Sequence, residues 1–183
     1  MKFSSPPCDI LPQSLLLERA GCGMLEPDCS KGVVVQHYQD IEDYLYQAIP
    51  LAQAMGVKVR HAAEDAVTLW APLEPNINHC ATIFGGSAAA VATLAGWLLV
   101  YRKLQALGVR GQVMVRRSQM DYQKAMHAAF TASTLPVPEA AWQRMAAALA
   151  KGRMARLQLA VELECGGVAA GRLDGEFVVL PPN

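Results

Sequence analysis

Apolar positions recur along this chain with two different periods. From Asp40, the residues Ile41, Tyr44, Leu45 and Ala48 return at helical spacing until Pro50, whose missing N–H disturbs a helix. Val57–His61 and Val67–Trp70 alternate instead at period two, with Glu64-Asp65 as the turn between them. After Pro75 the alternation stops. No Asp, Glu, Lys or Arg occurs from there to Tyr101, and the segment predicts one long helix over about 84–107, ended by Gly108. Residues 112–122 and 128–134 predict the next strands. Pro136 and Pro138 then introduce a short Ala-rich helix over 139–151. Leu157, Leu159, Val161, Leu163 and Cys165 share one strand face, with Arg156, Gln158, Glu162 and Glu164 on the other. Gly166-Gly167 makes a tight hairpin. The last strand sets Leu173, Phe177 and Val179 against Arg172, Asp174 and Glu176, with Gly175 marking a bulge or a close approach.

The element order is a helix, two strands, one long apolar helix, then four strands. Short connections in the last part favour antiparallel pairing. A helix apolar on every side is explained if a curved sheet encloses it, which predicts a single α+β domain over 37–183. Residues 1–36 are rich in Pro, Gly and Cys without sustained periodicity; they predict a poorly ordered N-terminal extension with one helical turn near Ser14–Arg19.

Composition narrows the class. A chain of 183 residues with 52% hydrophobic and 17% charged positions is expected to be globular around one core. The formal net charge is zero, so nothing global points to nucleic acid or an anionic membrane. The distribution is less even. Between Pro75 and Met120 no acid occurs, while Arg102, Lys103, Arg110, Arg116 and Arg117 fall in that span. A solvated helix end and edge strand, or a surface for an anionic partner, both account for this. Ala81–Tyr101 is long enough to span a membrane and is followed by Arg102-Lys103. Its Ala, Gly, Ser and Thr content keeps its hydrophobicity modest, so we expect a helix wrapped by its own protein. The five cysteines, Cys8, Cys22, Cys29, Cys80 and Cys165, are odd in number and lack CxxC spacing, which argues against disulfides and zinc. With only Met1-Lys2 as a charged start and Pro6, Pro7 and Pro12 following, a signal peptide is not expected, and a reducing cytoplasm fits.

The candidate chemistry lies in Pro75–Ser87, PNINHCATIFGGS, whose polar groups are amides, hydroxyls and backbone N–H groups. Asn76 and Asn78 hold a tight loop or donate hydrogen bonds from it. Thr82 is expected as the helix N-cap. Ser87 has no His–Asp relay to activate it. His79 is expected at the surface, Cys80 as a small apolar filler, and Trp97 in the core or a dimer contact.

Taken together, Pro75-Asn76-Ile77-Asn78, Thr82, Phe84, Gly86-Ser87, Thr93-Leu94-Ala95-Gly96-Trp97, Gly152–Arg156 and Leu173–Val179 resemble the YiiD C-terminal-domain family of hot-dog folds. The resemblance covers about residues 40–181 and is to the standalone form, since 36 preceding residues cannot hold the acetyltransferase domain of two-domain members. It implies a hot-dog fold, a curved antiparallel sheet wrapped around one long central helix. It further implies a thioesterase-like enzyme, more sharply a malonyl-acyl-carrier-protein decarboxylase that supplies acetyl groups to start fatty acid synthesis. Carried over, Asn78 is the catalytic residue, and Asn76, Thr82, Phe84, Gly85, Gly86 and Ser87 surround the substrate. No metal or cofactor is implied, because the substrate arrives on the phosphopantetheine arm of acyl carrier protein. Arg116-Arg117, or Lys151, Arg153 and Arg156, would receive that acidic partner, and the working unit would be a homodimer or higher. One departure is that Asp121-Tyr122-Gln123-Lys124 lacks the proline expected after the tyrosine.

The residues accommodate that chemistry. Thioesterases of this fold place an Asp or Glu on or facing the central helix, and Ser87–Leu94 has none. Decarboxylation of a malonyl thioester needs no base, only donors aimed at the enolate oxygen. Asn78 and the backbone N–H groups at Phe84–Gly86 could supply them, with Gly85 and Gly86 allowing close approach. A thioesterase recruiting Asp121, or a non-catalytic acyl-thioester binding module, are the alternatives.

Overall fold

The structure, a computed structural model, describes residues 38–181. The expected N-terminal extension, its helical turn at Ser14–Arg19, and Cys8, Cys22 and Cys29 lie outside the described residues. The first helical pattern forms α1 (Gln39–Ala48). Pro50 then starts a second short helix, α2 (Pro50–Ala54), besides ending the first, since a missing N–H costs nothing at a first helical position.

The period-two segments form β1 (Lys58–Ala62), β2 (Val67–Ala71), β3 (Gln112–Tyr122), β4 (Phe130–Thr134), β5 (Ala155–Cys165) and β6 (Val168–Leu180). All pair antiparallel in one sheet of order β1-β2-β4-β5-β6-β3. Gly166 and Gly167, with φ of 60° and 78°, turn β5 into β6 as a primed hairpin requires. The β4 strand begins at Phe130 rather than Ala128, because its partner β5 ends at Cys165, opposite Phe130. Gly175 sits in an unbroken register and marks close packing: a Cβ there would lie 2.7 Å from the Phe177 ring.

The long apolar run forms α3 (Gly85–Ala106), a helix of 22 residues with Gly108 at φ 64° just beyond it. Val91, Ala92, Ala95, Leu98, Leu99 and Val100 are fully buried against the sheet, where Leu157, Val161, Leu173, Phe177 and Val179 face them. Gly96 lets the sheet approach, since a Cβ would fall 2.7 Å from Phe177 and 2.9 Å from Leu159. The helix α4 (Glu139–Leu149) packs Trp142, Met145 and Leu149 against this core near β5. This is the expected α+β hot-dog architecture. No helix among the described residues is long and apolar enough to cross a membrane.

Two features matter for function. Among the described residues the edge strand β3 pairs on one side only, with β6, and most of its residues are exposed. The N-terminal turns of α3 carry the small residues Gly85, Gly86, Ala89 and Ala90, which leave space beside the strand.

Candidate functional site

The loop before α3 is built from the inside outward. A 3-10 turn at Glu74–Asn76 ends on Asn76, whose side chain is 1% exposed and donates to the carbonyls of Met55 and Pro72, each at 2.8 Å. Its own carbonyl accepts the Phe84 N–H at 2.7 Å. Asn76 therefore ties three segments together and meets no cavity described below; its Oδ1 has no hydrogen-bond partner among the described residues. Ile77 and Ile83 bridge the two limbs, and the Ile83 N–H donates to Met126 at 2.8 Å, which binds the loop to the segment after β3.

Asn78 organises the loop tip. Its Oδ1 accepts from the N–H groups of Cys80 at 2.8 Å and Thr82 at 3.2 Å. Its Nδ2 donates to Thr82 Oγ1 at 2.9 Å, and only loosely to the Ile83 carbonyl at 3.4 Å. The tip bends sharply enough that Ala81 holds φ 56°. Two expectations are corrected. Thr82 is not the helix cap: its hydroxyl is occupied by Asn78, and the helix starts later because Ile83 is held extended by its bridge. Cys80 is exposed at the tip rather than filling the core, because the Asn78 side chain pins its N–H in the turn.

Phe84 takes the N-cap position with no side-chain bond to the helix. The N–H groups of Gly85, Gly86 and Ser87 are thus left without an acceptor among the described residues, at the positive end of α3. The Phe84 ring, 56% exposed, lies over Gly86, where a Cβ would be 2.3 Å from it. Across from the helix start, the Tyr122 hydroxyl donates to the Gly85 carbonyl at 3.0 Å, and a Cβ on Gly85 would sit 3.2 Å from the Tyr122 ring.

Between these groups lies a cavity of about 270 Å³ lined by Ile83, Gly85, Ala88, Tyr122, Gln123–Met126 and Ala170. A second, more apolar cavity of about 360 Å³ lies further along α3, between Ala89, Ala90, Thr93, Leu94 and Trp97, the α1–α2 junction, and Val113–Val115 of the edge strand. Trp97 is fixed by its indole N–H, which donates to the Val113 carbonyl at 3.0 Å, and it stacks with Tyr101 at 5.1 Å. No carboxylate among the described residues lines either cavity. Asp121 is exposed and accepts from Gln123 at 2.9 Å, outside both. No group of His, Cys, Asp and Glu among the described residues could hold a metal ion.

The structure brings only part of the expected site together. Gly85 lines the first cavity; Asn78 stands behind it, through Ile83; Gly86, Ser87 and Phe84 form the helix start beside it; Asn76 and Thr82 are buried in the loop. Of the expected docking cations, Arg117 is exposed on β3, and Arg116 is the extra residue of a β-bulge between Val115 and Arg117. Arg156 begins the exposed face of β5, and Lys151 and Arg153 occupy the preceding turn. Tyr122, Gln123 and Lys124 were not expected in the site. No local signal marks them, because long-range pairing of β3 with β6 and the Ile83–Met126 bond bring them to the helix.

Comparison with known proteins places this architecture. A protein-family model described as "Putative thioesterase (yiiD_Cterm)" matches residues 38–181. The chain is similar to a solved structure described as a "putative thioesterase" from Shewanella oneidensis, at 27% identity and TM-score 0.66 over 77% of this chain and 95% of that one. It is also similar to a protein of unknown function from Chlorobaculum tepidum, at 26% identity and TM-score 0.72 over 78% and 93% of the two chains. A phenylacetic acid degradation protein, PaaI from Thermus thermophilus, shares the fold at 20% identity and TM-score 0.53 over 72% and 98%.

Proposed function

The chain belongs to the YiiD C-terminal thioesterase-like family, and on that premise we propose that it decarboxylates a malonyl thioester carried by acyl carrier protein, giving the acetyl thioester. The observation that carries the reading is a cavity at a helix N-terminus with free N–H groups and no carboxylate in its lining. In the reaction the bond between the malonyl methylene and its carboxylate breaks. The electron pair moves toward the thioester carbonyl as an enolate, carbon dioxide leaves, and water returns a proton to the methylene carbon. No step needs an enzyme base. The barrier falls if donors meet the oxygen on which charge develops, each contributing about 10²–10³ in rate.

The backbone N–H groups of Gly85 and Gly86 support that role. Asn78 is the proposed side-chain donor, since the second hydrogen of its Nδ2 is held only loosely at 3.4 Å against Ile83, a residue of the cavity wall. Apolar Ile83, Ala88 and Met126 would surround the departing carboxylate with little water. The exposed edge of β3 supports a homodimer formed by strand pairing: Met114, Val115 and Tyr122 are 52%, 44% and 55% exposed on an unpaired strand, an arrangement proteins seldom leave open.

A second reading, hydrolysis of an acyl thioester, is favoured by the apolar second cavity, which has room for a hydrocarbon chain. Mass spectrometry of malonyl carrier incubated with the protein separates the two. Acetyl carrier is the expected product; free carrier thiol would replace the proposal with hydrolysis.

A further inference from the structure

We infer that the outer face of the sheet at the β5–β6–β3 corner docks the carrier's acidic helical surface, on an apolar centre ringed by arginines. This rests on the proposed use of a carrier-borne substrate and assigns the surface that receives it. The register sets the patch. Arg156 of β5 pairs with Val178 of β6, and Val178 with Met114 of β3, so the three share the face turned away from α3. Met154 lies just ahead of β5, two residues before Arg156, and is exposed.

Val178 is 6% exposed yet stands apart from the core that packs on α3, whereas Met114 and Met154 are 52% and 48% exposed. The result is an apolar seam with flexible, adaptable side chains at its surface. Cations rim it. Glu176, beside Val178, receives Arg116 at 2.9 Å and Arg156 at 3.8 Å, so one carboxylate holds two guanidiniums in place. Arg117, Lys151 and Arg153 are exposed with no acidic partner within ion-pair distance among the described residues. The two groups of cations that the sequence offered as alternatives meet at Glu176, whose carboxylate is shared by Arg116 of one and Arg156 of the other.

An apolar seam whose rim carries more cations than the one carboxylate of Glu176 fits an amphipathic acidic helix better than a small anion, because the rim steers and orients while the centre is desolvated. The position also suits a tethered substrate. Met114 belongs both to this patch and to the wall of the second cavity, so a partner seated on this face lies beside that cavity.

The test is fluorescence anisotropy of a labelled acyl carrier protein with the full-length protein, beside turnover of malonyl-pantetheine, which lacks the carrier. The double reversal Arg153→Glu with Arg156→Glu is expected to weaken carrier binding at least about tenfold while malonyl-pantetheine turnover holds. Glu176→Gln frees both guanidiniums and is expected to tighten carrier binding, an outcome that loss of structure cannot imitate. Carrier binding unchanged by the double reversal, or weakened by Glu176→Gln, overturns the assignment. Because binding is read directly, these outcomes stand even if neither malonyl substrate is turned over, the result that would instead defeat the decarboxylase reading.

Discussion

Replacing Asn78 by Asp and by Ala separates a donor to the enolate from a brace for the loop. The Ala variant removes the acceptor of two backbone N–H groups, at 2.8 and 3.2 Å, and the donor to Thr82 at 2.9 Å. At about 1 kcal/mol net per bond the upper bound is about 3 kcal/mol, and the half-buried site admits water to part of it, leaving about 2. Asp keeps the oxygen that Cys80 and Thr82 use. The Thr82 hydroxyl can turn to donate to its second oxygen, and only the loose contact with Ile83 becomes unfavourable, so Asp costs about 1 kcal/mol or less. Neither loss is large against a total of about 5–15 kcal/mol. The catalytic expectation runs the other way. Asp has no hydrogen to give and adds a negative charge where the enolate forms, so kcat falls by at least about 10²–10³, as far as in the Ala variant or further. The assay is the rate of acetyl-carrier formation beside a urea unfolding curve for each variant. A well-folded Asn78→Asp protein that keeps more than about a tenth of wild-type kcat, far above the drop expected for a lost donor, refutes the catalytic role and leaves Asn78 as the brace of its loop.

Three further outcomes follow from the geometry. Gly96→Val drives methyl groups into Phe177 and Leu159, which a Cβ alone already meets at 2.7 and 2.9 Å; overpacking of about 1–3 kcal/mol should lower the urea midpoint, and an unchanged midpoint would mean the sheet is not so closely seated on α3. Val115→Glu places a charge on the open edge of β3 and should shift the protein toward monomer in light scattering, with activity falling alongside; a dimer of undiminished affinity would place the interface elsewhere. Lys58 is held above the ordinary lysine value of 10.5 by its bond to the buried Glu42 carboxylate, at 3.0 Å. Its folded value is the higher one, so its contribution is complete below the unfolded pKa and is lost as pH rises through the folded one. The urea-midpoint difference between wild type and Lys58→Met should therefore be constant on the acid side of 10.5 and shrink above it; a difference that grows there contradicts the pairing.

The fold was legible because its two periods are clean. The β5 strand alternates buried and exposed almost without exception, and the hairpin glycines have the positive φ their spacing implied. The helix α3 could be recognised as enclosed because its hydrophobicity lacks a polar face. The site was legible only in part, and the failures share one cause. Thr82 stands where local rules put a cap, but the Ile83–Met126 bond holds the chain extended past it. Tyr122, Gln123 and Lys124 reach the cavity through strand pairing between residues about fifty positions apart, and no local window contains that information. Asn76 and Asn78 look alike in sequence; only burial and partners divide them, one locked inside the loop and the other at its tip.

The acid-free span from Pro75 to Met120 links the chemistry to the surface. It covers the helix start and most of the edge strand, so the uncapped N–H groups of α3 and the arginines of β3 fall in one acid-free stretch. A carboxylate in the cavity lining would work against an enolate on two counts. It would repel the developing charge, and it would supply the base that activates water for hydrolysis. On the proposed reading, the lack of a carboxylate among the described residues lining either cavity favours carbon–carbon over carbon–sulfur cleavage at the same thioester, and the arginine-bearing face is the proposed seat of an acidic carrier. The two should part experimentally. Raising salt should weaken docking on the exposed arginines and raise KM for the carrier-borne substrate, while kcat, set inside the cavity, stays level. A kcat that falls with salt as steeply as kcat/KM would show that charge acts on the chemical step as well.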